Sequence, residues 1–218
     1  MFMQEIDQIS ITILMDNSTD LLLTNSDHVI RPLLIKNDKF ILPPPVAEHG
    51  FSALINMAKY DQSDRYDNNN NNNNIFLFDT GVSENGVIHN ADIFGIDFGR
   101  IDGIILSHGH FDHFVGLVNI LKRMSSSPRQ TSNHSVDIFT HPDTFLRRWE
   151  IFPDGKRAKS PILDERQLQQ LGAKIHKSTG VRCLPSEESP LIAITGEIPR
   201  ETSFEKGFPF QYAEDPSR

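Results

Sequence analysis

Residues Ile101–Leu121, IDGIILSHGHFDHFVGLVNIL, constrain the fold more than any other stretch of this chain. The apolar run Gly103–Leu106 reads as a short buried strand. His108, His110, Asp112 and His113 follow at once. Phe114, Val115, Leu117, Val118 and Leu121 then fall on one face of a helix. The fold therefore has to place a strand, a turn and a helix in succession, with four metal-ligating side chains gathered at the turn. In an extended segment His108 and His110 project to the same side, so both can reach one ion. Asp112 and His113, at the start of the helix, can hold a second. Gly109 between the histidines permits a tight turn. Imidazole and carboxylate suit zinc or a similar divalent cation. Such an ion lowers the pKa of bound water from 15.7 towards about 7. The competing reading makes these side chains surface polar groups with Asp112 as a helix N-cap; a dense cluster after a buried strand argues against it.

The rest of the chain is scaffold for this stretch. A length of 218 residues suits one domain. A net charge of −8 argues against a nucleic-acid binder, although Arg147, Arg148, Lys156, Arg157 and Lys159 are close in sequence. One cysteine, Cys183, excludes an intrachain disulfide and fits a reducing compartment. No apolar run approaches the roughly 20 residues of a membrane span, and the N-terminus shows no signal peptide pattern. The expectation is a cytoplasmic protein without membrane or nucleic-acid partners.

In order, Ile9, Ile11 and Ile13 alternate with Ser10, Thr12 and Leu14, predicting a strand with one face buried. Pro43-Pro44-Pro45 is extended and leads through Ala47-Glu48-His49-Gly50 to a strand at Phe51–Met57. A polar insert, residues 60–74, ends in seven asparagines and is expected to be a disordered hairpin loop. Ile75–Phe78 is a buried strand ending at Asp79-Thr80-Gly81. Val87–Phe94 is a helix stopped by Gly95, and Val136–Thr140 a strand ending at His141-Pro142-Asp143. Thr144–Glu150 and Asp164–Leu171 read as helices, with Phe145 and Trp149 in the core. Ala173–His176 and Leu191–Thr195 read as strands, and residues 201–218 as an irregular tail. His28, His134 and His176 read as solvated, and Cys183 as a thiol in a polar loop. The alternation of strands and helices predicts an α/β layered fold.

These motifs resemble the metallo-β-lactamase fold superfamily, whose signature is His-x-His-x-Asp-His after a strand, with an upstream Asp-Thr-Gly turn. Ala47–Ser52, His89-Asn90-Ala91, Thr140–Asp143 and Thr195–Arg200 look like one branch, which includes the 7,8-dihydropterin-6-methyl-4-(β-D-ribofuranosyl)-aminobenzene-5′-phosphate synthases. The resemblance implies an αββα sandwich over residues 1–200, present here as an N-terminal half plus extension. It implies up to two divalent ions, zinc first, with manganese or iron as alternatives. His108 and His110 would hold metal 1; Asp112, also the candidate catalytic residue, and His113 would hold metal 2. Asp79 would orient a ligand. His49, His141, Glu197 and Arg200 are candidates for substrate binding.

The superfamily takes further metal ligands from later in the sequence, and no histidine follows Arg200. The chain is therefore expected to be the N-terminal part of a longer enzyme, with a possible second chain completing the fold. Two functions follow from the resemblance. One is a metal-dependent hydrolase or transferase that acts on a phosphorylated or pterin-like anionic small molecule through metal-activated water or oxygen. The other is a truncated or split, catalytically silent homologue serving as a binding or assembly module.

Overall fold

Three short apolar segments, IFLF, GII and VDIFT, have too few polar groups to lie on a surface, and they become the middle of a sheet. The computed structural model describes residues 3–58, 73–127, 135–205, 207 and 209–214. In chain order the strands are β1 Gln8–Met15, β2 Ile35–Lys36, β3 Lys39–Phe40, β4 Ser52–Ala58, β5 Asn73–Phe78, β6 Gly103–Ile105, β7 Val136–Thr140, β8 Arg148–Ile151, β9 Arg157–Lys159, β10 Ala173–Lys177, β11 Arg182–Leu184, β12 Ile192–Ile194 and β13 Gln211–Ala213. The helices are α1 Gly86–Phe94, α2 Leu117–Ser125 and α3 Glu165–Gln170.

The architecture is mixed α/β around a six-stranded sheet of order β1-β4-β5-β6-β7-β10. β1, β4 and β5 are antiparallel neighbours, whereas β5, β6, β7 and β10 run parallel. All three helices cover one face. There Leu77, Ile104 and Ile138 of the sheet meet Leu117, Ile120 and Met124 of α2 and Leu168 of α3, each with 0% exposure. Burying each such side chain contributes about 1.5–3 kcal/mol, so this interface fixes where β6 ends and α2 begins. The other face carries Met57, Phe76, Ile105 and Phe139, covered by Leu184, Leu191, Ile192 and Ile194 of the β11–β12 hairpin region. Of the layers of an αββα sandwich, the described residues thus form one helical layer, the main sheet and a small second sheet.

Asn90 of α1 ties this framework to the approach of β4. Its Nδ2 donates to the carbonyls of Leu14 (2.7 Å) and Val46 (2.9 Å), and its Oδ1 accepts from Val46 N–H at 2.9 Å. Asn90→Ala takes the side-chain partner from three backbone groups, the buried Leu14 carbonyl and the part-buried N–H and carbonyl of Val46. It is expected to cost about 2–3 kcal/mol, measured as a lower urea midpoint at unchanged m-value.

Several sequence expectations change. The β1 strand forms, but Ile9, Ile11 and Ile13 are 53%, 59% and 47% exposed, while Leu14 and Met15 are buried. β1 is the edge strand, and the small second sheet gathers over the strands beyond it. The segment 144–150 is not helical: a 3-10 turn, Pro142–Phe145, passes into β8, which pairs with β9 and β13. Trp149 sits in that strand, with Lys159 Nζ 4.9 Å from its ring centre. Periodicity over seven residues could not separate the two states. The tail contributes β13, so it is not wholly irregular. β5 starts at Asn73 and pairs with β4 from Ala58, so β4 and β5 flank the insert as a hairpin would require. Residues 60–72 of that insert lie outside the described residues. Cys183 is buried in β11 rather than placed in a loop. Among the described residues, no helix is long and apolar enough to cross a membrane.

Candidate metal centre and cleft

β6 delivers Ser107 and His108 to the carboxyl end of the parallel strands, where ligands of open α/β sheets bind. The chain then makes a 3-10 turn, Phe111–His113, before α2 starts at Leu117. Asp112 and His113 therefore sit in a separate turn ahead of the helix, and Asp112 is not its N-cap. Gly109 is needed for close approach, not for a left-handed backbone. A Cβ there would lie 2.6 Å from the Thr144 carbonyl oxygen and 2.6 Å from Arg148 Nη1. Arg148 is committed to that neighbouring turn, donating to the carbonyls of Asp143, Leu146 and Thr144. It is no part of a free basic patch.

Asp79 organises the cluster. It is fully buried at the end of β5, with φ of 55°. Its Oδ1 accepts from Ser107 N–H at 2.8 Å, and its Oδ2 from Ser107 Oγ at 2.6 Å and His113 Nδ1 at 2.7 Å. Because the one hydroxyl proton of Ser107 goes to Asp79, Ser107 Oγ accepts from His108 Nδ1 at 2.9 Å. One carboxylate thereby sets the tautomers of two histidines, leaving Nε2 of both His108 and His113 as the lone-pair nitrogen. The sequence shows Ser107 only as the first residue of the Ser107–His110 motif that resembles the branch named above; its role went unseen, since a serine before the cluster carries no spacing signal of its own.

The charges follow from this packing. Burial, helped by the neighbouring charges of His113 and His110, lowers the His108 pKa to about 4. Burial and Arg148 lower that of His110. Burial also acts to lower His113, but the hydrogen bond and charge of Asp79, with Asp112, outweigh it and raise its pKa. His108 and His110 are therefore neutral donors at neutral pH.

The donor atoms fit a divalent cation pairwise. His108 Nε2 lies 2.8 Å from His110 Nδ1. Asp112 Oδ2 lies 3.5 Å from His113 Nε2 and 3.3 Å from His49 Nε2. Two nitrogens at zinc-ligand length sit roughly 3.3 Å apart on one tetrahedral ion; the Asp112 separations match that spacing, while the 2.8 Å His108–His110 contact is a hydrogen bond that must open by about half an ångström to share an ion. Among the described residues, no three His, Cys, Asp or Glu side chains form a group able to hold a metal ion. The pairs are present without a closed shell.

A cleft of about 660 Å³ opens beside His108. His141, Glu197 and Arg200 line it, so the structure brings three of the four substrate candidates to one place. His141 Nδ1 accepts from Asp143 N–H at 3.1 Å, which puts the ring proton on Nε2. That nitrogen is shielded from solvent and has no hydrogen-bond partner among the described residues. Glu197 Oε2 lies 3.9 Å from it. His49 is not among the described residues that line the cleft; it is largely exposed, with Nε2 3.3 Å from Asp112 Oδ2. His176 is a correction. It is half-buried in the cleft wall, its ring stacked on Phe139 with centroids 4.9 Å apart. The alternation along β10 could have located it on the same face as Phe139.

Comparison with known proteins adds to this geometry. Residues 70–126 match the model of the metallo-beta-lactamase superfamily. A 7,8-dihydropterin-6-methyl-4-(beta-D-ribofuranosyl)-aminobenzene-5'-phosphate synthase of Methanocaldococcus jannaschii is 33% identical over 108 residues. Those residues are 50% of this chain and 31% of that protein; the chain spans about a third of its relative. Among solved structures, a quorum-quenching N-acyl homoserine lactone lactonase is 16% identical, with TM-score 0.36, covering 66% of this chain and 48% of that one. A long-form RNase Z from yeast is 24% identical, with TM-score 0.33, covering 43% and 12%. The residues that match the metallo-beta-lactamase superfamily model span β5 to α2 and contain Asp79 and all four cluster side chains, so the similarity falls on the segment that builds the site.

Proposed function

We propose that this chain is the metal-gripping part of a metal-dependent hydrolase or transferase acting on a phosphorylated or pterin-like small molecule. The observation that carries the reading is the His108–His110 pair, neutral, 2.8 Å apart and aimed by the Asp79–Ser107 relay. The similarity to a pterin-related synthase supports the substrate class. A bound divalent ion, zinc first, would supply Lewis acidity and a water of lowered pKa. His108 and His110 would hold it, with Asp112 and His113 offered to a second ion. The chain's own part is to keep His108 and His110 neutral, to orient His108 and His113 through Asp79, and to present His141 Nε2–H in the cleft that His108 lines.

Metal content of the purified chain tests this. We expect about one equivalent of zinc, manganese or iron in the parent, and less than a tenth of that in the His108→Ala, His110→Ala double variant. A parent without tightly held metal rules out this chain as a metal-dependent catalyst on its own.

A second reading, a binding or assembly module completed by another chain, is favoured by one observation. Ile9, Ile11 and Ile13 form an exposed apolar row on the edge strand, the kind of surface that protein partners cover.

A further inference from the structure

Phe78, Ile105, Phe139 and His176 stand in one row across four neighbouring strands, each paired in register with the next. All four line the cleft. The first three make an apolar floor, and the row ends in a polar assembly. His176 Nε2 donates to Asp137 Oδ1 at 2.5 Å. Its Nδ1 faces Arg182 Nη2 at 3.3 Å. A guanidinium only donates, so Nδ1 is the acceptor and Asp137 holds the ring in the Nε2–H tautomer. The Arg182 guanidinium carbon lies 5.4 Å from the Phe139 ring centre, within cation–π range.

Arg182 is thus held by two aromatic rings, yet it spends one of its five donor hydrogens on His176. Among the described residues no carboxylate pairs with it, in a chain of net charge −8. A half-buried arginine that is positioned but not neutralised is suited to an oxyanion, which it can grip with two parallel hydrogen bonds. β10 lies two strands from β6, so His176 and the His108 strand are separated by about 10 Å.

We propose that Arg182, positioned by His176 and Asp137, is an anion-binding arm of the cleft. It takes the phosphate or carboxylate end of an elongated ligand whose aromatic or apolar middle lies on Phe78 and Ile105 and whose other end reaches His108. The proposal rests on the catalytic reading above only for the His108 end. The anion arm itself operates without metal.

The test is isothermal titration of the full chain in chelator, with phenyl phosphate, benzoate and inorganic phosphate as probes. Saturable millimolar binding of phenyl phosphate or benzoate is expected, and whichever binds more tightly identifies the oxyanion. Arg182→Ala and Arg182→Gln are each expected to weaken it at least tenfold. His176→Ala should weaken it several-fold, and His176→Asn, which keeps an acceptor near the Nδ1 position, should restore it. Arg123→Ala, a surface arginine of α2 paired with Asp92 away from the cleft, should change it less than twofold. No saturable binding in the parent, or an Arg182→Gln variant within twofold of it, overturns the proposal. Metal content, measured separately, reports on the catalytic reading whatever these titrations give.

Discussion

Asp79→Ala is expected to remove about 4 kcal/mol of stability and tight metal binding together. The carboxylate is fully buried and accepts three hydrogen bonds. Its loss leaves the Ser107 N–H and His113 Nδ1–H unpaired, each worth about 1–3 kcal/mol. The Ser107 hydroxyl can turn to His108 and recover part of the loss. Alanine at φ of 55° adds roughly 1 kcal/mol of backbone strain. Four kcal/mol is a large share of the roughly 5–15 kcal/mol that holds a domain folded, so the urea midpoint should fall far. Asp79→Asn separates the two effects. Asparagine tolerates the left-handed conformation, and its Oδ1 still accepts from Ser107 N–H. Its amide must then donate to His113 Nδ1, moving the ring proton to Nε2 and blocking the metal-facing lone pair. Stability is expected to fall by only about 1–2 kcal/mol, while metal affinity drops 10–100-fold. Urea titration and metal competition on the two variants check both halves. An Asp79→Asn chain that binds metal like the parent would show that Asp79 does not set the tautomer.

The part of the site legible in the sequence is the part built from consecutive residues. His108, His110, Asp112 and His113 announce themselves because their side-chain types are dense and their strand is apolar. The Asp79 turn was legible only through its resemblance to the upstream Asp-Thr-Gly turn of the metallo-β-lactamase fold superfamily. Contacts between distant segments were not legible. Ser107 matters through Asp79, 28 residues away, and His176 through Phe139 and Asp137 on β7. The β1 face misread has the same origin. Alternation showed that Ile9, Ile11 and Ile13 share a side, but burial depends on what the rest of the chain lays over it. The error at residues 144–150 was local. β8 pairs with β9, within about ten residues, and with β13, over 60 residues away, and a strand that depends on so distant a partner carries little signal of its own.

Gly50→Ala is expected to be at least as damaging to the fold and to reach the cluster by another route. His49 and Gly50 precede β4, and His49 is one of the substrate-binding candidates of the sequence. Gly50 has φ of 114°, a conformation essentially confined to glycine. A Cβ there would lie 2.2 Å from the Asp112 carbonyl oxygen, backbone against backbone, where no side chain can swing aside. Strain of about 1–3 kcal/mol adds to overpacking of about 1–3 kcal/mol, for a loss of about 4 kcal/mol. Whatever relief the chain finds must move the turn that carries Asp112 and His113 away from the turn that carries His49. The pair at 2.8 Å, His108 with His110, precedes that turn, and the atoms nearest the Gly50 Cβ position all belong to Asp112. Gly50→Ala assayed at low temperature, where it remains folded, should therefore keep the first equivalent of metal and lose any second. If both equivalents are retained, Asp112 and His113 take no part in holding an ion; if both are lost, the two donor pairs form one site that cannot be divided.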